Sequence, residues 1–127
     1  MSETPSRQEM FNRAWNGLRS QGWKLANRAI EGIPDEPGNP MPNCMYLTPN
    51  GRRCAWGWVD TSLNEKDVGT VRGLYHYRRG IAGQLTYEDV NWALELQRTH
   101  DDASSSAAMV ANLALFAQKY SLTIPSE

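Results

Sequence analysis

Between Cys44 and Gly57 the chain reads C-M-Y-L-T-P-N-G-R-R-C-A-W-G, and no other stretch narrows its folding options as much. Thr48-Pro49-Asn50-Gly51 has the composition of a tight turn. Proline presets φ near about −65°, and glycine supplies a left-handed position without steric strain. With apolar residues on both sides, the segment predicts a β-hairpin over about Asn43–Asp60, with Arg52 and Arg53 at its tip. Proline at the second turn position favours a type I turn with Gly51 as the left-handed bulge residue. The competing register is a two-residue loop at Asn50-Gly51.

Neither register suits a disulfide. In the bulged form Cys44 and Cys54 share a face but sit diagonally, about 7–8 Å apart. An unstrained bridge needs Cβ atoms at about 4 Å. In the other register the two side chains point to opposite faces. A structural zinc site needs four ligands, commonly from closely spaced cysteine pairs. Here the cysteines are ten apart, and only His76 and His100 offer imidazoles. The thiols are therefore expected to be unlinked and packed as small hydrophobes. No metal or other cofactor is implied.

At 127 residues the chain suits one domain spanning 1–127 with a single core, rich in large side chains from five Trp, five Tyr and five Met. Thirteen basic and 14 acidic residues leave a net charge of −1. That balance argues against a strongly basic DNA-binding domain but allows a local basic patch. No apolar run is long enough to cross a bilayer, and Met1–Pro5 lacks the pattern of a signal peptide. The expectation is a soluble, intracellular protein with reduced thiols and no membrane partner.

Ser6 to roughly Ile30 reads as a helix. Ser6 and Glu9 form a capping-box pair, Phe11, Ala14, Trp15 and Leu18 recur at helical spacing, and a break is expected near Gln21-Gly22. Gly32–Pro42 carries four prolines and is expected to be an extended loop. Ser62 to about Tyr77 suits a weak helix broken near Gly69 or Gly73, and Gly80–Gly83 a turn. Thr86 can cap a helix running to about Thr99. Asp102 or one of Ser104–Ser106 can cap a last helix with the stripe Met109, Val110, Leu113, Phe116, Ala117 and Tyr120. The sum is an α+β fold: an N-terminal helix, a central β-hairpin and two C-terminal helices packed on one face of it.

The pattern resembles a family of short phage and prophage proteins. Its members begin with an amphipathic helix written Q-E-x-F and continue with a hairpin of the form C-x-Y-x-x-P-x-G-x-x-C-A-x-G. They carry L-Q-x-x-H-D-D ahead of a last helix. The matching residues are Gln8, Glu9 and Phe11, then Cys44, Tyr46, Pro49, Gly51, Cys54, Ala55 and Gly57, and finally Leu96, Gln97, His100, Asp101 and Asp102. The likeness runs from end to end, thinly between Asp60 and Leu85. Where the second hairpin arm of the family continues with a small or apolar residue and Pro-Asp, this chain has Trp56, Trp58, Val59 and Asp60. The resemblance implies a phage accessory protein in the cytoplasm of the infected bacterium. Such a protein would bind a host component, a defence protein among the candidates, and inhibit, redirect or sequester it.

Three groups of residues are candidates for function. Arg72, Tyr75, His76, Tyr77, Arg78 and Arg79 interleave aromatics with arginines, which can stack on flat groups and clamp anions. Arg52 and Arg53 would join them if the two loops are neighbours. The bland alternative is a solvated basic loop with its tyrosines packed inward. Trp56 and Trp58 could anchor a partner or a second copy of the chain, against the alternative that they are core. His100-Asp101-Asp102 invites comparison with HD-type metal-dependent hydrolases, which need further ligands. The alternative is that His100 closes one helix while Asp101 or Asp102 caps the next. The leading expectation is a non-enzymatic binding protein for a bacterial host protein or a nucleotide signal. A nucleic-acid-binding regulator comes second, and a hydrolase last.

Overall fold

The computed structural model describes residues 4–23, 46–47, 51–64, 67, 70–103 and 105–125. The N-terminal helix forms as expected: α1 spans Arg7–Ser20, and the Ser6 hydroxyl accepts the Glu9 N–H at 3.1 Å. Met10, Phe11, Ala14, Trp15 and Leu18 line its buried face. At its end Gly22 takes φ +70°, and the N–H groups of Gly22 and Trp23 return to the carbonyls of Arg19 and Leu18. That is a Schellman closure, and it sets the break expected at Gln21-Gly22.

Two short helices follow, α2 at Ala55–Val59 and α3 at Val71–His76, then a 3₁₀ turn at Ala82–Gln84. The two long C-terminal helices are α4 at Tyr87–Asp101 and α5 at Ser106–Lys119. Thr86 caps α4 through the Asp89 N–H, and Ser105 caps α5 through the Ala108 N–H. α1 packs most extensively against α2, which also meets α4; α4 packs against α3 and α5. Aromatic contacts tie the outer helices together. Phe11 of α1 stacks on Phe116 of α5 at 6.1 Å, and Trp92 of α4 lies 5.4 Å from Phe116. Among the described residues no helix is long and apolar enough to cross a membrane.

The α+β expectation fails. Among the described residues there is no strand, and the second arm of the expected hairpin is the helix α2. Cys44 and Thr48–Asn50, which carry the first thiol and most of the turn, lie outside the described residues. Gly51 does hold a positive φ of 85°. Past it, Trp58 donates to the Cys54 carbonyl at 3.1 Å and Asp60 to Trp56 at 2.9 Å, the i→i−4 ladder of a helix.

The reason for α2 is tertiary. Cys54 gives this helix no side-chain cap; the Trp56 N–H is satisfied by Gln97 Oε1 of α4 at 2.9 Å. At the other end the Arg53 guanidinium donates to the carbonyls of Gly57, Thr61 and Leu63. Gln21 grips the Arg53 backbone from both sides, accepting its N–H at 3.0 Å and donating to its carbonyl at 2.8 Å. Gly17 completes the arrangement, since a Cβ there would fall on the Trp58 ring. Gly57 likewise lies against the Tyr46 carbonyl.

Candidate functional site

α3 is six residues long, and the residues of its closure, 76–80, are all exposed. The Thr70 hydroxyl caps its start through the Gly73 N–H at 3.1 Å. Val71 and Leu74 are buried, and Tyr75 is half-buried against the core. At the C-terminus the Arg78 N–H donates to the Tyr75 carbonyl at 3.1 Å and the Arg79 N–H to Leu74 at 2.8 Å. This is again a Schellman closure, which requires a left-handed residue at Arg78. Arg78 has φ +52°. Glycine is the residue that adopts this conformation freely, and an arginine there carries about 1–2 kcal/mol of strain. The strained residue is also buttressed: a Cβ on Gly83 would fall on the Arg78 backbone, and Gly83 donates to the Arg79 carbonyl at 3.2 Å.

The turn therefore fixes how its side chains are presented. His76, Tyr77 and Arg78 are exposed, and Tyr77 leaves 87% of its surface uncovered. Arg79 forms an ion pair with Asp67, its Nε lying 3.0 Å from Oδ1. Arg72 donates to the neutral Asn91 amide of α4 at 3.3 Å. The Arg78 side chain has no hydrogen bond or ion pair among the described residues, and neither Arg72 nor Arg78 faces a carboxylate there.

The remaining candidates are distributed differently. Arg53 is committed to α2 and stacks over Trp58 at 6.0 Å, and Arg52 is half-buried. The two arginine loops touch a common connector, Arg53 through Thr61 and Leu63 and Arg79 through Asp67, without a bond between them among the described residues. Trp56 is fully buried, which corrects its reading as a surface anchor; Trp58 is half-buried and donates to Gln21 Oε1 at 3.1 Å. Cys54 is a buried free thiol.

His100 is also fully buried, in the last turn of α4, with Nδ1 3.1 Å from Asp101 Oδ1. Gln97 donates to the same Asp101 oxygen at 2.9 Å. The next helix is capped by Ser105, not by Asp101 or Asp102. Among the described residues no three His, Cys, Asp or Glu side chains are grouped to hold a metal ion.

A groove of about 480 Å³ between α4 and α5 went unread in the sequence; Arg98, Asp102, Asn112 and Leu115 are among its lining residues. The available signal was Leu115, which sits off the apolar stripe of α5 and is 64% exposed. Glu95 and Lys119 close one wall. The Glu95 carboxylate accepts from Lys119 Nζ at 2.9 Å and from the Tyr120 hydroxyl at 2.8 Å. Burial pulls the Glu95 carboxyl up, but those hydrogen bonds and the charges of Lys119 and Arg98 outweigh it and hold it below its usual value. The hydrogen bond to Glu95 raises Lys119, and burial followed by the same carboxylate raises Tyr120.

No protein-family model, curated protein or solved structure matches the chain.

Proposed function

We propose that this protein is a small non-enzymatic binding module. On its resemblance to phage proteins, its target is a bacterial host component, a defence protein or a nucleotide signal, which it inhibits, redirects or sequesters. The contact surface is the corner after α3. One observation carries this reading: Arg78 occupies a left-handed position where glycine would be less strained, and its side chain is exposed and has no hydrogen bond or ion pair among the described residues. Residues held in sparsely populated backbone regions cluster at ligand clamps and switch regions. Tyrosine and arginine are also the residue types that dominate binding energy at interfaces.

The test is capture from bacterial lysate on the immobilised chain, with mass spectrometry of retained proteins and small molecules. Tyr77→Ala and Arg78→Gly should each remove what the parent chain retains, whereas Leu115→Ala in the α4–α5 groove should not. Retention unchanged by both corner variants would place the contact elsewhere.

A further inference from the structure

We infer that the partner of the α3 corner is a protein presenting an acidic recess, into which Tyr77 inserts with Arg78 next to it, Arg72 in the first turn of α3 adding a second positive charge. The inference rests on the corner being the contact surface, and two observations choose the partner class. The first is shape. Small ligands are held in concave sites that cover most of their surface. Tyr77, 87% exposed, stands out from the protein, a shape that suits a recess on a partner and not the enclosure of a small ligand.

The second is charge. Arg79 is neutralised by Asp67, so Arg72 and Arg78 are the cations of this corner that lack a carboxylate among the described residues. Two phosphate contacts would give nucleic-acid binding a salt slope of only about −2. That is far short of the six to ten contacts, roughly, on which duplex binders rely, and the chain as a whole carries a net charge of −1. A protein recess lined by Asp or Glu needs only this much charge. Each guanidinium can take a bidentate carboxylate, and the tyrosine ring contributes the apolar area. The Schellman closure and the Gly83 buttress hold the corner in place before binding, which limits the ordering entropy lost on association.

The experiment is an NMR titration of the isotope-labelled full chain with three probes: a short Asp/Glu-rich peptide carrying leucines, ATP, and a mixed-sequence single-stranded DNA. The peptide should shift the amides of Tyr77–Gly80 and leave those of the α4–α5 groove in place. Arg78→Gly, which the left-handed turn accepts without loss of fold, should weaken the peptide about tenfold or more, the size of one charge-assisted contact. Tyr77→Ala should weaken it comparably. Shifts at the corner with ATP or DNA and none with the peptide would keep the surface and overturn the protein partner. A peptide that shifts other residues only, or nothing, would overturn the inference. If Arg78→Gly also leaves lysate capture unchanged, the corner reading falls with it.

Discussion

Two residues with left-handed backbone make opposite predictions, and the difference separates folding from function. Gly51 sits at φ +85° with open space around it, so no clash awaits a larger side chain. Gly51→Ala should still destabilise, by about 1 kcal/mol, because the methyl group disfavours that backbone. Arg78 is the converse. Arg78→Gly should raise thermal stability, by about 0.5–1 kcal/mol once the greater freedom of glycine in the unfolded chain is subtracted from the strain relieved. Ser121, at φ +56° in the closure of α5, is the internal control. Ser121→Gly should stabilise to a similar extent and leave partner binding alone. Thermal denaturation of the three variants checks this, and a destabilised Arg78→Gly would assign that side chain a structural role.

The helices differ in how locally they are specified. Within α1, Gly17→Ala should drive a methyl group into the Trp58 ring and destabilise by about 1–3 kcal/mol, the range for overpacking. Gly73→Ala in α3 meets only the Thr70 hydroxyl at 3.6 Å and should be neutral or stabilising by up to about 1 kcal/mol. Gln97→Leu should strand the buried Trp56 N–H and destabilise by about 1–3 kcal/mol. Denaturant titration distinguishes all three. The same contrast explains what could be read in advance. α1, α4 and α5 carry their own caps, Ser6, Thr86 and Ser105, and their own stripes, so local pattern sufficed. α2 carries neither. Its five residues are too few for a period of 2 to be told from one of 3.6. Its supports, Gln97, Gln21 and Gly17, lie 32 or more residues away in the chain. At the corner, the Arg/Tyr composition was legible. Which arginine remains uncompensated was not, because that depends on Asp67, Asn91 and the packing of Gly83.

At the scale of the whole molecule, α1, α4 and α5 are joined along one seam. Arg7 pairs with Asp89 at 2.7 Å and lies over the rings of Trp92 and Tyr120, while Tyr120 and Lys119 both hold Glu95. Glu95 is held below its ordinary value near 4.5, so its contribution is complete above that value and is lost as pH falls through the lower folded one. Lys119 and Tyr120 are raised above 10.5 and 10.0, so theirs is complete below those values and fades as pH rises through the higher folded ones. Glu95→Gln should therefore be less stable than the parent at neutral pH and converge with it in acid, measured by melting temperature across pH. The interior offers a further handle. The indole N–H groups of Trp15, Trp56 and Trp92 are buried and meet no acceptor among the described residues. Without a polar partner to relax around the excited ring, these three indoles should emit at short wavelength and be shielded from iodide. Trp23 and Trp58, only partly covered, should be quenched first. The protein thus contains its own optical gauge of core hydration, with no label to attach.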